Sequence, residues 1–240
     1  MGAPLVNPDL ASMQLKAEIG HSEASSIFWI ELQGSSYALK VVGVLDLHKR
    51  SFHDNGDPGV TKNGRDLNRF RNEVNAYKNL DAFGVCDSGL VPKYYGSIDR
   101  LNPSSYEPWL NGFVDDKFHP NAILLEYLPD PEPLNCVNYS KERHSKAMEA
   151  LAQVHNALVV HNDIYPKNIL IVPGCPERVV LIDFDVAKTF PTKELMDEEL
   201  GIQSPRPIKA AEYEFGILGG FGKALEEDQK EGLPPNTSFY

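Results

Sequence analysis

Long apolar runs are missing from this sequence. Nowhere do its 240 residues contain the roughly 18 consecutive apolar side chains of a membrane-spanning helix, and the opening MGAPLVNPDLASMQL lacks a basic segment followed by an apolar one. Neither a membrane protein nor a secreted one is expected, and the cytoplasm is the expected location. Cysteine is scarce as well. Cys86, Cys136 and Cys175 are odd in number, far apart and without any Cys-x-x-Cys spacing, which argues against a disulfide framework and against structural zinc. Basic charge is in deficit, with 23 Lys and Arg against 34 Asp and Glu and a net charge of −11, so attraction to DNA or RNA over the whole surface is not expected. Repeats and low-complexity blocks are also absent. What is present is a globular composition, 42% hydrophobic, in a chain long enough to bury a core without covalent staples.

Patterning divides the chain at residue 128. Before it, β-branched and aromatic runs at 13–19, 26–33, 37–45, 91–98 and 122–128 predict five strands, the second and third joined as a hairpin through Gln33-Gly34-Ser35-Ser36. One helix is expected over 65–80, where Phe70, Val74, Tyr77 and Leu80 recur at helical spacing, preceded by a polar, glycine-containing loop at 48–64. Pro129, Pro131 and Pro133 then mark a boundary between regions 1–128 and 129–240. Beyond it, an amphipathic helix is expected over 141–160, with Met148, Leu151, His155 and Leu158 on one face. Short apolar strands follow at 169–172 and 179–182, and a glycine-containing apolar run spans 215–225. His155, on an apolar helix face, reads as a core residue.

The strongest chemical signal is His161-Asn-Asp163-Ile-Tyr165-Pro-Lys167-Asn168, which sets a carboxylate and an amide five residues apart on a loop between helix and strand. Such a carboxylate can orient a hydroxyl or accept its proton, and such an amide can hold a metal ion. Fifteen residues after Asn168, Asp183-Phe-Asp185 places two more carboxylates at the end of an apolar strand, donors suited to a hard cation such as magnesium.

These segments, together with Tyr37-Ala-Leu-Lys40 and Phe70-Arg-Asn-Glu73 upstream, resemble the protein kinase superfamily in both residue type and order. The resemblance implies an α+β, bilobal kinase-like fold: a five-stranded antiparallel sheet with one helix in an N-lobe at 1–128, and a reduced, mainly helical C-lobe at 129–240. It implies ATP and Mg2+ as cofactors, with Lys40 on the nucleotide phosphates and Glu73 pairing with it. Asp163 becomes the catalytic carboxylate, while Asn168 and Asp183, with Asp185, become the metal ligands. Gly20, Ser22 and Ser25 occupy the place of the glycine-rich loop with only its first glycine kept, and Glu126 and Leu128 that of the hinge that meets adenine.

Four departures qualify the match. Asp185 replaces a glycine and resembles the second acidic residue of aminoglycoside and choline kinases, which moves the reading toward small-molecule phosphotransferases. Tyr165 takes the place of a catalytic-loop lysine, a charge Lys167 could supply. Ala211 stands where the long central helix usually carries an aspartate that steadies the catalytic loop. Few residues follow, so the helices that dock peptides are not expected, and a small hydroxylated acceptor suits the chain better than a protein does. Two alternatives stay open: reuse of the fold for another group transfer, such as aminoacyl transfer from charged tRNA, and a pseudokinase that binds partners without chemistry.

One region runs against the acidic whole. Between 48 and 78, Lys49, Arg50, Lys62, Arg65, Arg69, Arg71 and Lys78 outnumber Asp54, Asp57, Asp66 and Glu73. A solvated loop and helix face is the plainer expectation, and a surface for RNA or an anionic substrate the sharper one.

Overall fold

The computed structural model describes residues 12–22, 25–43, 56–62, 64–201 and 204–235. They group into two compact units, Met1–Val74 with Lys93–Tyr127, and Asn75–Pro92 with Leu128–Tyr240. The expected boundary near 128 is one of three crossings. Residues 75–92 group with the second unit although they lie inside the region read as an N-lobe.

In the first unit, β1 (Gln14–His21), β2 (Ser25–Leu32), β3 (Ser35–Val42), β4 (Tyr94–Ile98) and β5 (Asn121–Glu126) form one antiparallel sheet in the order β1-β2-β3-β5-β4. Gln33 (φ 52°) and Gly34 (φ 76°) close the β2–β3 hairpin in two residues, both left-handed, the twist that antiparallel neighbours require. Alternation decides what each face carries. Phe28, Ile30, Leu32, Leu39, Val41, Ala122 and Leu124 lie in one buried cluster with Leu101, Leu110 and Phe113, which the segment between β4 and β5 contributes through two short 3-10 turns, Pro103–Tyr106 and Asn111–Phe113. The opposite face carries Lys40. The fourth strand starts at Tyr94 rather than 91, because Val91 is already buried in the second unit.

The expected helix forms as α1 (Arg69–Ala82), starting four residues late. Asn68 sets the start: its Oδ1 accepts the Arg71 N–H at 2.9 Å, and Asp66 accepts the Asn68 N–H at 2.8 Å. Arg71 reaches back from the helix to bind both Asp66 and Asp57, clasping the preceding segment. Of the basic region, Lys49 and Arg50 lie outside the described residues, Lys62, Arg65, Arg69 and Lys78 are exposed, and Arg71 is committed to these two aspartates. The Arg71 hydrogen bond holds Asp57 down to about 2 and lowers Asp66 as well.

The second unit holds α2 (Val85–Ser88), β6 (Glu132–Pro133), α3 (Lys141–Asn156), β7 (Val159–Val160), β8 (Ile169–Val172), β9 (Arg178–Leu181), β10 (Lys188–Thr189), α4 (Lys193–Glu198) and α5 (Ala210–Glu231). Ser140 caps α3 by accepting the Arg143 N–H. The helix stops at Asn156 instead of running to 160, since Leu158 turns left-handed (φ 60°) and Val159–Val160 pairs with β10. The apolar run at 215–225 is the middle of a 22-residue helix that closes on Gly232 (φ 69°). Only at Gly222 does α5 demand a glycine, because a Cβ there would run into the His144 ring on α3. Among the described residues, no helix is long and apolar enough to cross a membrane.

Candidate active site

The sequence singles out residues in both units. In the first, Lys40 and Glu73 meet as a buried ion pair, Nζ to Oε2 at 2.7 Å, with side chains 7% and 1% exposed. An ammonium or carboxylate this deep is tolerated only with its partner, so each holds the other charged and in place. At the site of the expected phosphate loop, β1 and β2 stay paired as far as His21 and Ser26. Ser22 N–H donates to Ser25 O at 2.8 Å, the two hydroxyls lie 3.1 Å apart, and Gly20 pairs with Ile27 in the ladder. Gly20 adopts no left-handed backbone, so the turn geometry makes no demand for glycine there. At the end of β5, the Glu126 N–H donates to Lys93 O at 2.9 Å and its carboxylate accepts the Lys93 N–H at 3.2 Å. Leu128, the other expected hinge residue, falls in the second unit.

In that unit the catalytic loop is built around Asp163. Asn168 donates its amide to both the carbonyl (2.8 Å) and the Oδ2 (2.9 Å) of Asp163, and Lys167 Nζ stands 3.4 Å from the same Oδ2. The one-turn 3-10 segment Pro166–Asn168 brings these three side chains together by folding the chain back within five residues. Lys167 also lies over the Tyr165 ring, 5.9 Å from its centroid, and Tyr165 in turn packs on Phe221 of α5. The carboxylate thus faces an amide N–H and an ammonium.

The second acidic segment is fastened to this loop. Ile182 N–H donates to Asn168 O at 3.0 Å, His161 Nε2–H to Ile182 O at 2.9 Å, and the Asn162 amide to Val186 O at 3.1 Å. Phe184, fully buried, packs its ring at a tilt against that of His161 (4.7 Å) and edge to face with that of Tyr77 (5.4 Å). Asp183 takes a left-handed backbone (φ 66°), uncommon for a residue with a side chain, and Asp185 is buried at 6% exposure. Among the described residues no group of three or more His, Cys, Asp or Glu side chains is clustered for a metal. The expected ligands are instead two carboxylates and one amide. With the Asn168 nitrogen committed to Asp163, its carbonyl oxygen is the atom it can offer. Three oxygen donors of this kind suit Mg2+, a hard ion that keeps part of its water shell and takes few protein ligands.

Glu214 was not singled out by the sequence, yet it organises the loop. Buried on α5, its carboxylate accepts the backbone N–H groups of His161 (3.2 Å) and Asn162 and the Nε2–H of His155 (2.7 Å). His155 is therefore buried as expected, but hydrogen-bonded to a carboxylate rather than in purely apolar surroundings. The steadying carboxylate looked for at Ala211 sits three residues later. A readable signal existed: Ala210, Glu214, Leu218, Gly222 and Leu225 are the buried stripe of α5, and a lone carboxylate within an otherwise apolar stripe needs a partner.

Residues 134–211, which contain both acidic loops, match the model of the lipopolysaccharide kinase (Kdo/WaaP) family. No curated protein matches the chain. Joined to the five-stranded sheet, the lysine–glutamate pair and the loop of Asp163 and Asn168, this match makes the chain a member of the protein-kinase-like superfamily and a kinase-like transferase.

Proposed function

We propose that this protein is an ATP- and Mg2+-dependent phosphotransferase that moves a phosphoryl group to the hydroxyl of a small acceptor. The observation that carries the reading is the Asp163 carboxylate, gripped by Asn168 and faced by Lys167 on one short loop. Asp163 would receive or orient the acceptor hydroxyl, and Lys167 would balance charge on the phosphoryl in transit. Lys40, fixed by Glu73, would orient the nucleotide phosphates, while Asn168, Asp183 and Asp185 would hold the metal. Magnesium, when bound, supplies neutralisation of the charge that builds on the phosphate oxygens. The matched family is named for lipopolysaccharide, whose phosphorylatable groups are hydroxyls, and this supports a hydroxylated acceptor.

A turnover screen with Mg2+ and ATP against amino sugars, amino alcohols and generic peptides identifies the acceptor. On the best acceptor, Asp163→Asn is expected to lower kcat by on the order of 10²-fold or more, with nucleotide affinity retained. An unchanged kcat removes Asp163 from the chemistry.

A further inference from the structure

Asn162, the residue immediately before Asp163, has a side chain to which the reading above gives no part. The acidic segment is fastened at both ends by two consecutive residues of the catalytic loop. His161 Nε2 lies 2.9 Å from Ile182 O, one residue before Asp183, and the Asn162 amide donates to Val186 O at 3.1 Å, one residue after Asp185. The backbone N–H of Asn162 goes to the Glu214 carboxylate. One residue thus joins α5, the catalytic loop and the far end of the acidic segment.

Its backbone narrows what can stand there. Asn162 is left-handed (φ 64°), a conformation costly for most side chains and least so for glycine, asparagine and aspartate. Of these three, glycine brings no side chain and an ionised aspartate can only accept, whereas asparagine carries an N–H that a carbonyl can take. The backbone therefore admits three residues, and one of them closes the bond to Val186.

Between the two fastenings lie the carboxylates that would hold the metal. The segment's own turn, in which Ala187 N–H donates to Phe184 O at 3.0 Å, is local and does not set its distance from Asp163. Beyond Val186 the ladder resumes only at Lys188, paired with Val160 three residues past Asp185. The Asn162 amide is the fastening nearest to Asp185 on that side.

We infer that Asn162 is a positioning residue for the metal site: through Val186 O it fixes the Asp185 end of the acidic segment against the loop of Asp163 and Asn168. This rests on the phosphotransferase reading. Loss of such an outer hydrogen bond leaves every ligand present but fewer molecules with the ligands in place, and it weakens metal affinity about 10- to 100-fold.

The test is calorimetry on the full chain, with ATP titrated in EDTA and across a series of free Mg2+ concentrations. Asn162→Gly permits the left-handed backbone and keeps the N–H given to Glu214, so it removes only the bond to Val186. It should match the unchanged chain in EDTA and need about tenfold more Mg2+ to reach half of its full ATP affinity. Asn162→Asp also suits the backbone, but sets an acceptor against the carbonyl, and should shift the Mg2+ requirement at least as far. If the glycine variant does not fold, the aspartate variant reads the same difference. An unchanged Mg2+ requirement in either folded variant overturns the inference: the residue is then there for its backbone alone, and the phosphotransferase reading stands. A loss of ATP affinity as large in EDTA as in Mg2+ overturns it too, since the effect is then not on the metal. Failure of the unchanged chain to bind ATP under any of these conditions overturns the phosphotransferase reading itself, and this inference with it.

Discussion

Glu214 binds three donors from two segments with one carboxylate, and all three are inside the protein. Two of them are backbone N–H groups immediately before Asp163, so the side chain acts on the candidate site through the loop rather than on substrate. His155, which completes the set, has its Nδ1 buried without a hydrogen-bond partner among the described residues. Glu214→Ala would leave a backbone pair and an imidazole unsatisfied in the interior. Each such group costs about 1–3 kcal/mol, so denaturant unfolding should show a loss of roughly 3 kcal/mol or more. Glu214→Gln keeps the shape but replaces one acceptor with a donor that opposes an N–H. It should lower kcat while leaving the nucleotide Kd as it was, whereas a purely structural role would lower the active fraction and leave kcat per folded molecule intact.

At the scale of elements, α1 is held by two different kinds of charge pairing. Lys40 and Glu73 are buried and interdependent, whereas Arg71 with Asp57 and Asp66 forms an exposed clasp on the segment before the helix. The clasp should be sensitive to acid in a definite direction. Both carboxylates are lowered in the folded protein, so their contribution is present above the ordinary aspartate value of 3.8 and fades as pH falls through the lowered values, about 2 for Asp57. Carboxyl carbon shifts followed by NMR should give Asp57 a midpoint near 2, and Arg71→Ala should return it to the ordinary range. A midpoint that ignores Arg71 would mean the clasp is not formed in solution.

The same comparison shows what the sequence could and could not reveal. Strand and helix existence followed from periodicity: the hairpin at Gln33-Gly34, the Lys141 start behind Ser140 and the β8 span Ile169–Val172 all appear where local chemistry put them. The ends depended on contacts made at a distance. Val91 left the fourth strand because it is buried elsewhere, and α3 stopped short because Val159–Val160 found a strand partner in β10. The candidate site divides the same way. Lys40, Glu73, Asp163 and Asn168 were legible from residue type and order, and the structure brings each pair together. Glu214 was not, since its part depends on which helix face turns inward.

On the scale of the whole molecule, charge is what can be tested without knowing the acceptor. The protein is acidic throughout except near 48–78, and there Arg71 is already neutralised by two aspartates. The solvated-face expectation therefore predicts no retention of tRNA by the protein in a filter assay at about 0.15 M salt, where charges farther apart than roughly 8 Å are largely screened. Retention that falls steeply with added salt, and that is lost on replacing Arg65 and Arg69 with Glu, would instead restore an RNA partner.

The three crossings of the chain between its two units bear on how the protein is made. Val74 is followed by eighteen residues that complete the other unit, and only from Lys93 onward do the last two strands of the sheet emerge from the ribosome. During synthesis, β3 must wait for β5, its neighbour in the sheet, until after α1 and α2 have left the exit tunnel. The N-terminal strands cannot finish folding first and be followed by an independent remainder, as happens when domains are strung end to end. The same interleaving means that no single cut releases either unit whole. A fragment starting at Leu128 would lack Leu80, Val85, Cys86 and Val91, four side chains buried at 5% exposure or less in the unit it was meant to represent.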